Sequence, residues 1–379
     1  MKKSLFSFVI GSYNNYKYIY EAIDSVLIQT YPRIELIISN DGSDDFQSDE
    51  VKRYIEKNQN GNIINLIINN NAKNIGTVAN VEYCRRISNG EYIMYMAADD
   101  CLYDENVIET FVNNFQFLGD DALCITAKVA MCGELLTQIE SIEPQSEVIE
   151  FIKKYTPKQM FSRLSHTFTI PTTSTCYRKK LYDIVGPYDT KYFIIEDASL
   201  YLKMSRMGIK FYWVDFIAAK HRSGGISHGN KLNLSEAYQK YRYDEILIYQ
   251  NEILPYQELI LDEDKKLMKK KWQYIEFAYW NDFEDKFSLK SLKYLFQKNF
   301  IFSLIKKIVF SKRIISNIFL LLIISLIVFI ITDRHIFITN NEIFNTLGVL
   351  GVLGVSISCI LLFSIYFIKF IYKIKKWSE

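Results

Sequence analysis

The chain has 379 residues, of which 49% are hydrophobic and 23% charged, enough apolar material for a large core and a composition that excludes wholesale disorder. Its 45 basic and 43 acidic residues leave a net charge of +2, which excludes a general nucleic-acid binder. The cysteines (84, 101, 124, 132, 176 and 359) form no C-x-x-C pair, so a zinc ribbon or thioredoxin-like motif is excluded and reduced, buried thiols are expected.

The first apolar run, 5–10, is shorter than a secretion signal's core and ends in Gly-Ser-Tyr-Asn. Residues 6–11 are therefore predicted as a buried strand. Ile19, Ala22, Ile23, Val26 and Leu27 fall at helical spacing within 18–29, with Asn14 or Asn15 as cap. Strands are predicted at 35–39, 63–68, 92–96 and 123–130, and helices at 51–57, 77–87 and 106–117. Alternation of this kind predicts a parallel α/β sheet, whose ligands collect at the carboxyl ends of the strands. Polar, carboxylate-bearing turns follow the strands at 35–39 and 92–96.

Residues 134–150 read as an acidic loop and 151–165 as a helix. A helix opens at Glu196-Asp197, a strand covers 211–216, and helices rich in Tyr and Lys cover 234–250 and 263–280. Residues 286–332 contain no Asp or Glu, and 286–313 read as amphipathic helices presenting lysines to anionic headgroups. The apolar runs 314–332 and 347–368 are each long enough to cross a hydrocarbon core of about 30 Å. Lys306, Lys307, Lys312 and Arg313 flank one outer end, and Lys369, Lys373, Lys375 and Lys376 the other, so both ends are expected in the cytoplasm. The expected organisation is a catalytic domain over 1–230, a helical membrane-surface region over 231–313 and a transmembrane hairpin over 314–372.

Four polar clusters could carry chemistry. Asp41, in Asn40-Asp41-Gly42-Ser43, reads as an Asx turn or as a carboxylate accepting from a nucleobase N–H or a ribose hydroxyl. Asp99 and Asp100 read as a helix cap or as paired carboxylates whose repulsion a divalent cation relieves. Mg²⁺ takes one or two protein carboxylates plus substrate phosphates. Glu196-Asp197 reads as first-turn acids complementing a helix dipole, or as the base that takes a proton from an acceptor hydroxyl. The segment 221–228, from His221-Arg222 through Gly224-Gly225 to His228, reads as a surface loop or as a mobile lid that neutralises a diphosphate.

In this order and spacing, these segments resemble the family 2 glycosyltransferases of the GT-A fold. The resemblance spans residues 7–228. It rests on Phe8-Val9-Ile10-Gly11-Ser12-Tyr13-Asn14, on residues 21–31, and on Asn40-Asp41-Gly42-Ser43, Asn74-Ile75-Gly76 and Gly90-Glu91-Tyr92-Ile93. Asp99-Asp100, Tyr177-Arg178, Gly186-Pro187-Tyr188-Asp189 and Glu196-Asp197 complete it. The resemblance implies a Rossmann-like α/β domain with a mixed, mostly parallel sheet flanked by helices, here followed by the amphipathic and two transmembrane helices. It implies that Ser12, Asn14, Asp41, Asp99 and Arg222 face the nucleotide. Asp99, Asp100 and His221 would surround a divalent cation, Mn²⁺ or Mg²⁺. Asp197, with Glu196 beside it, would be the general base of an inverting single displacement. Asn40 and Ala97 stand where the family often has Asp. The Q-x-x-R-W element of processive synthases is absent, Lys271-Trp272 being the nearest approach, so a non-processive, hexosyltransferase-like enzyme is expected.

The activity expected is transfer of a sugar from a nucleotide-sugar donor to a lipid-linked, undecaprenyl-type saccharide acceptor. It would serve cell-surface polysaccharide assembly of the capsule or O-antigen kind, at the cytoplasmic face of a bacterial inner membrane, with no nucleic-acid partner. Two other readings stand beside it: transfer directly onto polyprenyl phosphate, and a non-catalytic, membrane-anchored scaffold that binds nucleotide sugars. Asn40 and Ala97 motivate the scaffold; Asp99, Asp100 and Asp197 oppose it.

Overall fold

A computed structural model describes residues 3–167, 170–223 and 236–283. Strands β1 (Phe6–Ser12), β2 (Ile34–Asn40), β3 (Ile63–Asn70) and β4 (Tyr92–Ala97) alternate with helices α1 (Ile19–Leu27), α2 (Ser48–Asn58) and α3 (Thr77–Ile87). They lie side by side in the order β3-β2-β1-β4, all parallel. The order reverses between β1 and β4, the kind of switch point at which open α/β sheets bind ligands.

Beyond β4 the chain runs β5 (Cys101–Leu102), α4 (Val107–Leu118), β6 (Cys124–Cys132), β7 (Ile139–Glu143), α5 (Ser146–Lys154), α6 (Pro157–Leu164), β8 (Thr175–Arg178), α7 (Leu181–Val185), α8 (Asp197–Arg206) and β9 (Tyr212–Arg222). The sheet continues β4-β8-β6-β9-β5, with β7 on β6. β8 is antiparallel to both β4 and β6, and β9 is parallel to β6, so the sheet is mixed where alternation alone predicts a parallel one. The remaining helices are α9 (Glu236–Ile248) and α10 (Asp262–Phe283), joined by a π turn (Tyr249–Ile253) and a 3-10 segment (Leu254–Leu259).

Strand alternation sorts side chains into two cores. Phe6, Phe8 and Ile10 of β1 and Tyr92, Met94 and Met96 of β4 pack with α1, α2 and α4. Val9, Ile37 and Ile93 point the other way and pack with α3, α6, α7, α8 and the helices around Tyr249. Each such fully buried side chain stabilises the fold by about 1.5–3 kcal/mol. At the far end of the parallel strands Glu35 is fully buried. Its Oε1 accepts from Ser7 Oγ (2.6 Å) and the Asn89 N–H (2.7 Å), and its Oε2 from Asn65 Nδ2 (2.7 Å) and Asn89 Nδ2 (2.9 Å). Burial alone would raise its pKa, yet these donors outweigh it and hold the carboxyl below the ordinary range.

Residues 134–150 contain β7 and the start of α5, where an acidic loop is expected. The helix expected over 151–165 is two helices because Pro157 cannot continue α5. Thr156 instead caps α6, its hydroxyl accepting from the Gln159 N–H while the Gln159 side chain accepts from the Thr156 N–H. Residues 1–284 form one compact unit. The apolar runs 314–332 and 347–368, and the amphipathic stretch 286–313, lie outside the described residues. Among the described residues no helix is long and apolar enough to cross a membrane.

Candidate active site

The carboxyl ends of β1, β2 and β4 finish level. Ser12 lies opposite Asn40, and Gly11 opposite Ala97. The turns leaving these strands meet there: the Asp41 N–H donates to Ser12 O (2.8 Å) and the Ala98 N–H to Gly11 O (2.8 Å). Ser12 Oγ donates to Asn15 Oδ1 (2.9 Å), and Asn15 Nδ2 makes a long contact to Asp99 Oδ1 (3.4 Å). Asn14 adopts φ +54°, a left-handed conformation that Asn tolerates, and its N–H donates to Ser43 Oγ (2.9 Å).

The Asp41 carboxylate is buried and organises the loop before α3. Oδ1 accepts from the Ile75 N–H (3.0 Å) and Asn71 Nδ2 (3.0 Å), and Oδ2 from the Gly76 N–H (2.9 Å). Gly42 must be glycine: its φ is +80°, and a Cβ would lie 2.4 Å from the Lys73 carbonyl carbon. Asn40 donates through Nδ2 to Asn70 Oδ1 (2.7 Å) and accepts through Oδ1 from Ser43 Oγ (2.7 Å). The amide thus uses both of its functions, which a carboxylate at this position would not reproduce.

Asp100 is 2% exposed, and both oxygens of its carboxylate have partners. β5 follows it directly and pairs with β9, Cys101 opposite Lys220, which brings His221 and Arg222 alongside. His221 Nδ1 lies 3.0 Å from Asp100 Oδ2, the Arg222 N–H donates to Oδ1 (2.9 Å), and Thr173 Oγ1 lies 3.4 Å from Oδ2. Burial would lower the His221 pKa, but the bond to Asp100 and the charges of Asp100 and Asp99 outweigh it, so the imidazole is raised above its ordinary value. Asp99 is half-buried, and burial together with the Asp100 charge raises its carboxyl.

One expected strand bound needs correction here. The strand predicted at 211–216 runs on to Arg222, because β9 stays paired with β6 as far as Cys132 opposite Arg222. His221 and Arg222 are therefore strand residues, while 224–228 lie outside the described residues. The Arg222 side chain is also turned inward. It is 3% exposed, stacks over the Tyr18 ring (3.9 Å), donates from Nη2 to Glu21 (2.8 Å) and from Nε to Asp99 O (2.8 Å), and reaches Glu134 O through Nη1.

Glu196 and Asp197 open α8. Asp197 Oδ1 accepts its neighbour's Ala198 N–H (2.6 Å), and Oδ2 accepts from Thr172 Oγ1. Thr172 and Thr173 form the 3-10 turn (Thr172–Ser174) that feeds β8, so adjacent hydroxyls reach Asp197 and Asp100. Both acidic residues are partly covered. Burial, then the Asp197 charge, raises Glu196 well above the carboxylate range; burial raises Asp197 against the opposing bonds from Thr172 and Ala198.

The donor chemistry suits a hard cation: two neighbouring carboxylates, one of them raised by the other's charge, with an imidazole beside them. Among the described residues no three His, Cys, Asp or Glu side chains converge as a metal cluster. A cation here would draw its other ligands from phosphate oxygens and water.

Residues 7–185 match the family model described as glycosyl transferase family 2. They form a glycosyltransferase family 2 domain. An uncharacterised glycosyltransferase of Rickettsia typhi is 27% identical to the chain over 248 residues, 62% of this chain and 69% of that protein. Poly-β-1,6-N-acetyl-D-glucosamine synthase of Staphylococcus epidermidis is 29% identical over 204 residues, 52% of this chain and 45% of the synthase. The chain thus spans under half of that synthase. Among solved structures, S. aureus TarS 1–349 aligns with a TM-score of 0.50 at 16% identity, covering 82% of both chains, a likeness of fold. The match to the glycosyltransferase model stops before α8, so Asp197 and everything on α9 lie beyond it.

Asn15, Thr172 and Thr173 belong to the site and carried no signal of spacing. Asn15 was visible as a helix cap; the two hydroxyls sit in an irregular turn that no periodicity marks.

Proposed function

We propose that the chain is an inverting, non-processive glycosyltransferase that moves a sugar from a nucleotide-sugar donor to a lipid-linked saccharide acceptor. It works in bacterial surface-polysaccharide assembly, with its catalytic domain at the cytoplasmic face of the inner membrane. The observation that supports the reading best is the junction of Asp100 and Asp197 through Thr172 and Thr173 at the carboxyl end of the sheet. One carboxylate pair at the strand ends and one at a helix start give a site with separate places for a diphosphate and a nucleophile. The apolar runs beyond residue 313 support a membrane-bound acceptor. TarS 1–349 has been solved with UDP, which supports a nucleoside diphosphate as the donor's leaving group.

In this reading Asp197 takes the proton of the acceptor hydroxyl as its oxygen attacks the anomeric carbon, opposite the departing diphosphate. Thr172 holds the carboxylate that receives the proton. Glu196 sits beside it, its own carboxyl raised by burial and by the Asp197 charge. Asp41 and the turn it holds, with Ser12, Asn14 and Asp99, line the nucleotide end. Asp99 and Asp100 would hold a divalent cation, which when bound offsets charge on the diphosphate. His221 and the Arg222 N–H orient Asp100. Arg222 itself holds Glu21 and Tyr18 and braces the strand end.

The test is to purify the full chain in detergent and follow nucleotide release from UDP-, GDP- and dTDP-sugars with membrane lipid extract, with Mn²⁺ or with chelator. Release that requires lipid extract and metal, and is lost in Asp197→Asn, supports transfer. Nucleotide sugars that bind without turnover under every condition overturn it in favour of the scaffold.

A further inference from the structure

Asp244 lies on α9, outside both the family match and the stretch that carries the sequence resemblance. It is 1% exposed, and among the described residues no cation pairs with it. Its charge is met by backbone instead. Oδ2 accepts the N–H groups of Phe193 (2.9 Å), Ile194 (2.6 Å) and Ile195 (3.0 Å), and Oδ1 lies 3.0 Å from the Phe193 nitrogen. A buried carboxylate needs such donors, and in turn it fixes successive peptide planes. Those planes lead directly into Glu196-Asp197.

The same turn is gripped from the opposite side. Phe193 O accepts from the Val78 N–H at the start of α3 (3.3 Å), and a Cβ on Gly76 would lie 2.7 Å from that oxygen. Gly76 is the residue whose N–H Asp41 holds. The turn before the acidic pair is therefore clamped between α9 and the Asp41 loop.

We infer that Asp244 is a positioning residue for sugar transfer, its carboxylate fixing the turn 193–195 so that Asp197 is aimed at the acceptor hydroxyl. The inference rests on the proposed role of Asp197. Misplacing a reacting group by about 1 Å costs on the order of a hundredfold in rate.

The test uses the full chain in detergent with the nucleotide sugar that turns over fastest among UDP-glucose, UDP-galactose, UDP-N-acetylglucosamine, GDP-mannose and dTDP-rhamnose. Asp244→Asn should lower kcat by about tenfold or more and leave the donor KM within about threefold. Amide exchange of the peptide covering 193–197 should speed up in the same variant. Asp244→Glu keeps the charge and should fall between wild type and Asp244→Asn, which keeps the test alive if the amide variant misfolds. Glu245→Ala breaks the Arg242 ion pair on the same helix and should lower Tm without changing kcat. A kcat within twofold of wild type in Asp244→Asn, with Asp197→Asn inactive, overturns the inference. An active Asp197→Asn, or no turnover of any donor, overturns the underlying reading instead.

Discussion

Asp100 and Asp197, from opposite halves of the domain, are reached by the neighbouring hydroxyls of Thr173 and Thr172. Removing either hydroxyl should therefore have separable effects. Thr172→Val is expected to slow turnover while sparing nucleotide affinity, because it frees Asp197, the proposed proton acceptor, alone. Thr173→Val should do less, since its contact to Asp100 is long and His221 and the Arg222 N–H remain. Steady-state kinetics of nucleotide release, paired with calorimetric titration of UDP, distinguishes the two.

Asp197→Asn should reduce turnover by about 10²–10⁴-fold, the range that a general base supplies. Asp100→Ala should also abolish turnover, and its loss should extend to Mn²⁺-dependent nucleotide binding. If Asp100→Ala binds nucleotide as tightly as wild type at every metal concentration, the assignment of the cation to this pair is wrong.

Glu196 and Asp197 have pKa values raised by burial, and in Glu196 also by its neighbour's charge. A raised folded-state value means that stability is greatest below the ordinary carboxylate pKa and is lost as pH rises through the folded-state value. Glu196→Gln removes the second charge. Its Tm should match wild type near pH 4.5 and exceed it by on the order of a few °C at pH 8. An equal Tm difference at both pH values would contradict the assignment.

Glu35 has the opposite sign. Its folded-state carboxyl is lowered, so its contribution is present above the ordinary pKa and lost as pH falls through the folded-state value. Glu35→Ala also strands the fully buried Ser7 hydroxyl, at about 1–3 kcal/mol for a buried group left unsatisfied, while the exposed Asn65 and Asn89 amides turn to water. Urea titrations should show a lower midpoint at pH 7 and a gap to wild type that narrows under acid.

Gly76→Ala forces a Cβ against Phe193 O at φ +93°, and the backbone conformation alone costs about 1–3 kcal/mol. The variant should lose both Tm and nucleotide affinity, because the Asp41 loop and the turn before Glu196 move together. A variant that loses Tm but binds UDP normally would separate the two.

The sequence was most informative where periodicity and turn chemistry agree. Strands β1, β2 and β4, helix α3 and the carboxylates after the strands were legible because each apolar run ends in a polar turn: Gly11-Ser12 closing β1, Asp41-Gly42 after β2 and Asp99-Asp100 after β4. It was least informative where pairing is non-local. β8 reads as mixed sequence because its burial comes from β4 and β6 on both sides, and the extension of β9 through His221-Arg222 depends on β6 rather than on its own residues. Arg222 looked like a loop cation because sequence cannot show that Glu21 and Tyr18 wait for it. Asp244 gave no signal, as one of two adjacent acids in a Tyr- and Lys-rich helical stretch looks like any solvated carboxylate.

The single compact unit through Glu284 has a practical side. A protein shortened at residue 230 would keep every described strand, and with them the look of a finished domain in a low-resolution spectrum. It would lack the helix whose carboxylate holds the 193–195 turn. Inactivity of such a fragment would report a missing brace, and crystallisation or screening of the compact unit is better begun from a cut at residue 284.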